Sequence, residues 1–385
     1  MKIAFLGNRG IPANYGGSDT VFEHLGQRLV KKGHYIVVYC RKHLSNTDDE
    51  FYKGMERVIL PSINRLNFDT LTHSFLSTLH VLFNDKVEIL NYHGIGNSLL
   101  LPLLIFSRKK SVVVVDGPDW KRPKWGLIAK IALRLSVYFA LLLADEIISD
   151  NVPIHNWFKK KYNKNTFLIF YGGDFNKVPP GEHLAKWRLK GNDYILFVAM
   201  MVPDKGPDIV LEAYSRIKTD KKLLMVGDTH YHKKFFTTLK TKYSGNPNII
   251  FTGFQYGNSY KEFMSNAHIY VHPFRSDGTS PSLIQAMAYR NCILANDLAE
   301  TKAALKDAGI MFSKNSSLSL AEKLQFLLSN PQLIQYYRNK SLEAARKFYD
   351  WENITDQYEV VFAGLYSNDK KAHSTRECKE RTEKW

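Results

Sequence analysis

The sequence predicts two successive doubly wound α/β domains. Short apolar runs alternate with stretches of helical periodicity, the pattern of buried parallel strands joined by crossover helices. That pattern runs to Tyr171, is interrupted by a segment holding Pro179-Pro180-Gly181, and restarts at Tyr194. The chain has 385 residues, and about 100–200 residues per domain gives two or three domains.

In the first half, Ile3–Leu6 is a buried strand ending at Gly7, followed by the loop Asn8–Gly17. Thr20–Lys32 sets Val21, Leu25, Leu29 and Val30 at helical spacing, and Gly33 stops the helix. Tyr35–Tyr39 completes a β-α-β unit. Further strands are expected at Val87–Leu90, Ser111–Val115, Glu146–Ser149 and Phe167–Tyr171. Helices are expected near Thr70–Phe83, Ile95–Phe106 and Leu127–Ala144. In the second half, strands are expected at Tyr194–Ala199, Lys222–Val226, Ile249–Phe251, His268–His272 and Ile293–Ala295. The helices between them are Pro207–Ile217, His232–Tyr243, Ser259–Ser265 and Pro281–Ala288. Three helices follow, Leu318–Leu328, Pro331–Tyr349 and Trp351–Leu365. The expected division is a domain over 1–176, a second over 177–350, a helix over 351–368 crossing back to the first domain, and a polar tail over 369–385.

Hydrophobic residues make up 44% and charged residues 23% of the chain, which excludes a disordered, collagenous or coiled-coil protein. Lys plus Arg is 53 against 37 Asp plus Glu, a net charge of +16, which favours an anionic partner. Basic clusters stand at Arg108-Lys109-Lys110, at Lys121-Arg122 with Lys124, and at Lys159-Lys160-Lys161. No nucleic-acid-binding signature accompanies them, so nucleic acid is not an expected partner. Cys40, Cys292 and Cys378 have neither zinc nor disulfide spacing, which fits a reducing cytoplasm. No apolar stretch reaches the ~18–20 residues of a membrane span.

Four constellations could carry chemistry. The loop from Gly7-Asn8-Arg9-Gly10 to Tyr15-Gly16-Gly17-Ser18 puts glycine-rich backbone between a strand and a helix, where amide N–H groups approach a phosphate. Its spacing is neither Rossmann nor Walker, and a plain turn is the alternative. Ser276–Gln285 contains Thr279, Ser280 and Ser282 where a helix opens at Pro281, a second phosphate cradle or else a simple N-cap. Lys205 follows the first strand of the second half, at the sheet edge where open α/β folds bind ligands. Asp116-Gly117-Pro118-Asp119-Trp120-Lys121-Arg122-Pro123-Lys124-Trp125 crowds carboxylates, cations and two tryptophans into one loop. Trp faces there suit sugar stacking or membrane anchoring. His93 and His272 end strands; a packing role is the default for each. No metal-ligand cluster and no hydrolase or kinase motif is present.

G-N-R-G-I-P-A-N-Y-G-G-S-D-T-V-F-E-H-L, D-G-P-D-W-K-R-P-K-W-G, A-D-E-I-I-S-D-N, F-Y-G-G-D and G-T-S-P-S-L-I-Q-A-M-A occur in that order. Together, over residues 1–365, they resemble the retaining glycosyltransferases of family 4, in the bacterial rhamnosyltransferase-like branch with its R-G-I-P-A-x-Y-G-G motif. The resemblance implies the GT-B architecture, two Rossmann-like doubly wound domains facing a cleft. It implies transfer of a sugar from a nucleotide diphosphate donor, with no metal and no other cofactor. Gly16, Gly17, Lys205, Gly278, Thr279, Ser280, Ser282 and Leu283 would then meet the donor phosphates. Asp277 would hold the donor sugar and Gln285 the ribose hydroxyls. Asp116 and Trp120 would face the acceptor, with Asp119 and His93 joining Asp277 in catalysis. The sequence departs from the family at Met200, where an Arg usually stands, with Arg275 a substitute cation, and at Gln285, where a Glu usually stands.

The expected activity is transfer, with retention, to a lipid-linked or growing cell-surface glycan by a cytoplasmic protein on the inner face of an anionic membrane. The basic first half and the Trp120/Trp125 loop suit such a surface. The departures leave a second reading, a catalytically weak or inactive sugar-binding partner in a polysaccharide assembly complex.

Overall fold

The computed structural model describes residues 1–13, 17–45, 47–65, 68–84, 86–121, 125–229, 232–275 and 280–366. The expected tail 369–385 and Cys378 lie outside these. The chain forms two compact units, Met1–Tyr171 with the segment from Trp351 onward, and Gly172–Asp350.

The first unit runs β1 (Lys2–Leu6), α1 (Gly17–Lys31), β2 (Tyr35–Arg41), β3 (Phe51–Tyr52), β4 (Met55–Leu60), α2 (Asp69–Leu82), β5 (Ile89–His93), β6 (Lys110–Val115), α3 (Leu127–Leu143), β7 (Glu146–Ser149), α4 (Val152–Tyr162) and β8 (Phe167–Leu168). Its sheet order is β3-β4-β2-β1-β5-β6-β7-β8, parallel except for the β3–β4 hairpin. The central strands β1, β2, β5, β6 and β7 are buried on both faces, as their continuous Val, Ile and Leu runs require. The stretch Ile95–Leu104, expected as an ordinary helix, is a 3-10 helix with Pro102 inside it. Proline supplies no N–H for the α-helical ladder, and the segment tightens instead. Right-handed crossovers place α1 on one face of the sheet. The same rule places α2, the 3-10 segment, α3 and α4 on the other.

The second unit runs α5 (Glu182–Ala185), β9 (Tyr194–Val198), α6 (Pro207–Tyr214), β10 (Lys222–Val226), α7 (Lys233–Tyr243), β11 (Ile249–Gly253), α8 (Gly257–Ser265), β12 (Ile269–His272), α9 (Pro281–Ala288), β13 (Cys292–Asn296), α10 (Ala299–Leu305), β14 (Ile310–Phe312), α11 (Ser317–Leu328) and α12 (Pro331–Phe348). Its six parallel strands are ordered β11-β10-β9-β12-β13-β14. The short α5 is held by Glu262, whose buried carboxylate accepts from the N–H groups of Gly181 at 2.7 Å and Leu184 at 2.8 Å. The core joins α6 and α11 over β9, β10 and β12.

The last helix, α13 (Trp351–Gly364), belongs to the first unit and packs on α1. Trp351 stacks on His24 with ring centroids 5.2 Å apart, and Lys32 pairs with Asp356 at 2.7 Å and Glu359 at 2.8 Å. No helix among the described residues is long and apolar enough to cross a membrane.

Candidate functional site

The C-terminal edge of the first unit's sheet gathers polar groups where the apolar strands stop. Asn8 follows β1, His93 ends β5, Asp116 follows β6 and Asp150 follows β7. Gly7 makes the convergence possible: its φ is +96°, and a Cβ there would collide with the His93 carbonyl and the Asn97 amide. His93 is only 6% exposed. Its Nε2 lies 3.9 Å from Asp116 Oδ2 and makes no hydrogen bond. The ring sits edge-on to Phe22 and parallel to Tyr171. Burial pushes the His93 pKa below the ordinary histidine value, against the opposing pull of Asp116, so the imidazole is neutral near pH 7. Tyr171 is held far above the usual phenol range by burial and by Asp150 and Asp116.

Two carboxylates of α1 strap the loop after β1. Asp19 Oδ1 accepts from the Arg9 N–H at 3.0 Å, and Glu23 Oε2 from the Ala13 N–H at 2.9 Å. Burial raises the Asp19 pKa to about 6, with the charges of Arg9 and Arg41 acting against it. Gly17 begins α1, whereas Gly16 lies outside the described residues.

Asp119 opens a 3-10 turn, Asp119–Lys121, after β6. Trp120 is not displayed for a ligand or a membrane: it is 6% exposed, and its ring packs on Trp157 at 4.7 Å. The unit's own core uses the aromatic face expected to meet an acceptor.

In the second unit, β9 and β12 are neighbours whose connections diverge to opposite sides of the sheet. Such a switch point is where open α/β folds bind ligands. Lys205 lies in the turn Pro203–Lys205 after β9, with Nζ 3.8 Å from the Phe274 ring centroid. The turn is braced. Gly206 has φ +66°, and a Cβ there would strike the Pro273 carbonyl. The Arg275 N–H donates to Asp204 O at 2.8 Å. The Arg275 guanidinium, weighed above as a substitute cation, holds Asp208 with bonds of 2.9 and 2.5 Å and also donates to the Pro203 carbonyl. Its charge is therefore answered by the first turn of α6. Met200 is half-buried.

Across the switch point, Ser280 caps α9, and its Oγ lies 3.0 Å from Ser282 Oγ, which also accepts from Tyr270 OH at 3.1 Å. Leu283 is buried, and its N–H donates to Ser280 O at 3.0 Å. Gln285, expected at the ribose, has both amide atoms on the chain itself: Oε1 accepts from the Asp174 N–H at 3.0 Å, and Nε2 donates to Asp174 O at 2.7 Å. Asp277, Gly278 and Thr279 lie outside the described residues. No group of three or more His, Cys, Asp or Glu among the described residues has metal-site geometry.

Residues 182–348 match the family model described as glycosyl transferases group 1. The chain carries a glycosyltransferase group 1 domain. An uncharacterized glycosyltransferase of Methanocaldococcus jannaschii is 23% identical over 363 residues, 91% of this chain and 95% of that protein. The N-acetylgalactosamine-N,N'-diacetylbacillosaminyl-diphospho-undecaprenol 4-alpha-N-acetylgalactosaminyltransferase of Campylobacter jejuni is 23% identical over 158 residues, 40% of this chain and 42% of that protein. Among solved structures, the sucrose-phosphate synthase of Thermosynechococcus elongatus superposes with a TM-score of 0.81 at 18% identity, over 95% of this chain and 99% of that one. The fold is GT-B, as the sequence resemblance implies. Lys205, Ser280, Ser282, Leu283 and Gln285 all fall within the matched glycosyltransferase span, and the donors of such domains are nucleotide sugars. Sequence reasoning passed over Asp150 and Tyr171. The signal for Asp150 was present, a carboxylate one residue past the strand Glu146–Ser149, much as Asp116 follows Val115.

Proposed function

We propose that the protein is a retaining glycosyltransferase of the rhamnosyltransferase-like branch. It would move a hexose, such as the deoxyhexose rhamnose, from a nucleoside diphosphate sugar to a lipid-linked or growing cell-surface glycan at the cytoplasmic face of a membrane. The observation that supports this reading is that Lys205 stands in the turn after β9 and α9 opens after β12, the two neighbouring strands of the switch point, within the span that matches the glycosyltransferase model. A helix start and a cation are what a departing diphosphate needs. The lipid-linked acceptor is supported by the Campylobacter relative, whose name specifies a diphospho-undecaprenol acceptor and a 4-alpha transfer. In the proposed reaction the acceptor oxygen attacks the anomeric carbon from the face the diphosphate leaves. The carbon–phosphate-oxygen bond breaks as the glycosidic bond forms, and the acceptor proton passes to the leaving phosphate oxygen. Asp277 would hold a donor-sugar hydroxyl. Neutral His93, with Asp116 and Asp119, would orient the hydroxyls on the other side of the reaction.

A second reading, a sugar-binding partner with little or no transfer, is favoured by the engagement of Arg275 with Asp208 and of Gln285 with Asp174. A thermal-shift panel of nucleoside diphosphates and nucleotide sugars tests both, because a ligand of the native state raises its melting temperature. The expected result is a rise with one nucleoside diphosphate and its sugar, followed by transfer to a polyprenyl-diphosphate glycan. Binding without transfer selects the partner, and no shift with any member of the panel refutes both.

A further inference from the structure

The exposed apolar side chains are concentrated on one side of the first unit. Of 22 large hydrophobic side chains exposed among the described residues, 14 fall between Phe68 and Leu142. They lie on α2, on the 3-10 segment Ile95–Leu104 and its exit, and on α3. These elements join β4 to β5, β5 to β6 and β6 to β7. Their crossovers all run the same way, so all three cover one face of the sheet, and they pack side by side.

The pattern is strongest on α3. Leu127, Ile128, Ile131, Leu135, Tyr138 and Leu142 are each between 46% and 85% exposed. At about 100° per residue, these six occupy a stripe about 100° wide. Ser136, Val137 and Ala140, on the opposite side, are buried against the unit. The helix is therefore apolar on two faces, and the unit itself covers one. Beyond the 3-10 segment, Phe106 is 100% exposed.

On the 3-10 segment, the strand after it and α3, the charges have one sign. The stretches 95–115 and 127–143 contain Arg108, Lys109, Lys110, Lys130 and Arg134 and no carboxylate. The one carboxylate of α2, Asp69, is bound by Arg41 at 2.7 Å, and Asp145, just after α3, by Lys110 at 3.0 Å. The neighbouring α4 ends in Lys159, Lys160 and Lys161.

We infer that the α3 face of the first unit seats on an anionic lipid surface. The helix lies in the headgroup plane, with its leucine and isoleucine stripe toward the acyl chains and Lys130 and Arg134 at the level of the phosphates. This deepens the lipid-linked reading of the acceptor and rests on it for its purpose, though not for its geometry. The charges distinguish lipid from a second copy of the chain: a twofold interface through this face would oppose cations with no carboxylate to answer them. The contact also replaces the one expected from Trp120, whose ring is buried.

Flotation of the full chain with vesicles of equal parts phosphatidylcholine and phosphatidylglycerol tests the assignment. The protein should float with these vesicles and not with phosphatidylcholine alone. Ile131→Glu with Leu135→Glu should reduce partitioning at least tenfold, and Lys130→Gln with Arg134→Gln by about fivefold for each cation. Ile131, Arg134 and Leu135 are exposed and Lys130 is half-buried, so melting temperature and nucleoside diphosphate affinity should hold, which keeps the donor reading separate. Flotation without transfer to any lipid-linked acceptor would sink the acceptor reading and leave this surface standing. The inference is overturned if the wild type stays in solution, or if the variants float equally well. It is equally overturned if sedimentation shows a wild-type dimer that Ile131→Glu with Leu135→Glu dissociates.

Discussion

Truncating Lys205 to alanine isolates the cation proposed to meet the donor diphosphate. The backbone around it is held without its help: Gly206 sits at φ +66°, the Arg275 N–H bonds Asp204 O at 2.8 Å, and the Arg275 guanidinium grips Asp208 at 2.9 and 2.5 Å. The substitution therefore removes an ammonium and leaves the loop in place. A hydrogen bond to a charged group contributes about 1.5–3 kcal/mol, so the dissociation constant for the nucleoside diphosphate should rise about 10- to 150-fold. The Nζ also leaves its position 3.8 Å over the Phe274 ring. That cation–π contact stabilises the unit by about 0.5–1 kcal/mol, which predicts a melting temperature lower by about 1–4 °C. Titration calorimetry at low and moderate salt measures the first quantity, and the gap between wild type and variant should narrow as salt screens the pair. Lys205→Arg keeps the charge and should lose less. Affinity within twofold of wild type in Lys205→Ala, accompanied by the small melting shift, would mean that the ammonium serves only Phe274.

Three further outcomes follow from particular side chains. Because burial lifts the Asp19 pKa to about 6, the folded state binds its proton more tightly than the unfolded chain does. The resulting stability is full below about pH 4 and lost as pH rises through about 6, at about 1.4 kcal/mol per unit, or about 3 kcal/mol in all. Asp19→Asn keeps an acceptor for Arg9 and removes the titration, so urea melts of the two proteins should diverge between pH 4 and 7, and parallel curves would count against the buried carboxylate. Trp120→Ala should cost about 3–5 kcal/mol and about 10 °C in melting temperature, with vesicle flotation per folded molecule unchanged. Asp277→Ala should lower transfer strongly and leave nucleoside diphosphate binding intact; a mere helix-start carboxylate would instead lower stability by a few tenths to about 1 kcal/mol, with transfer unchanged.

The alternation of strand and helix was legible because buried parallel strands need continuous apolar runs: Glu146–Ser149 and Lys222–Val226 match their expected limits. The β3–β4 hairpin escaped, although Lys53-Gly54 is a two-residue turn with φ of 51° and 79°, the geometry of a tight hairpin. Its strand Phe51–Tyr52 is too short to show a period. The helix α4 also escaped, although Asn151 accepts from the Ile154 N–H and Pro153 stands in its first turn, a legible start signal. The polar residues at strand ends, His93 and Asp116, could be located because an apolar run stops there. What could not be read was which polar or aromatic groups the fold would use for itself. Gln285 meets a backbone 111 residues away, Arg275 meets Asp208, and Trp120 meets Trp157. Such pairings depend on tertiary approach, which spacing along the chain does not encode.

The return of α13 to the first unit also sets an order of completion during synthesis. A chain made from its N-terminus onward has every residue of the second unit, Gly172–Asp350, before the first unit receives its final helix. Until then α1 lacks the cover of Trp351, Ile354, Tyr358 and Phe362, all buried in the finished protein. The part translated first is thus the part closed last. A stop after Asp350 should yield an intact second unit tethered to an open, sticky first one, while a fragment spanning 172–350 carries its whole sheet in one continuous stretch.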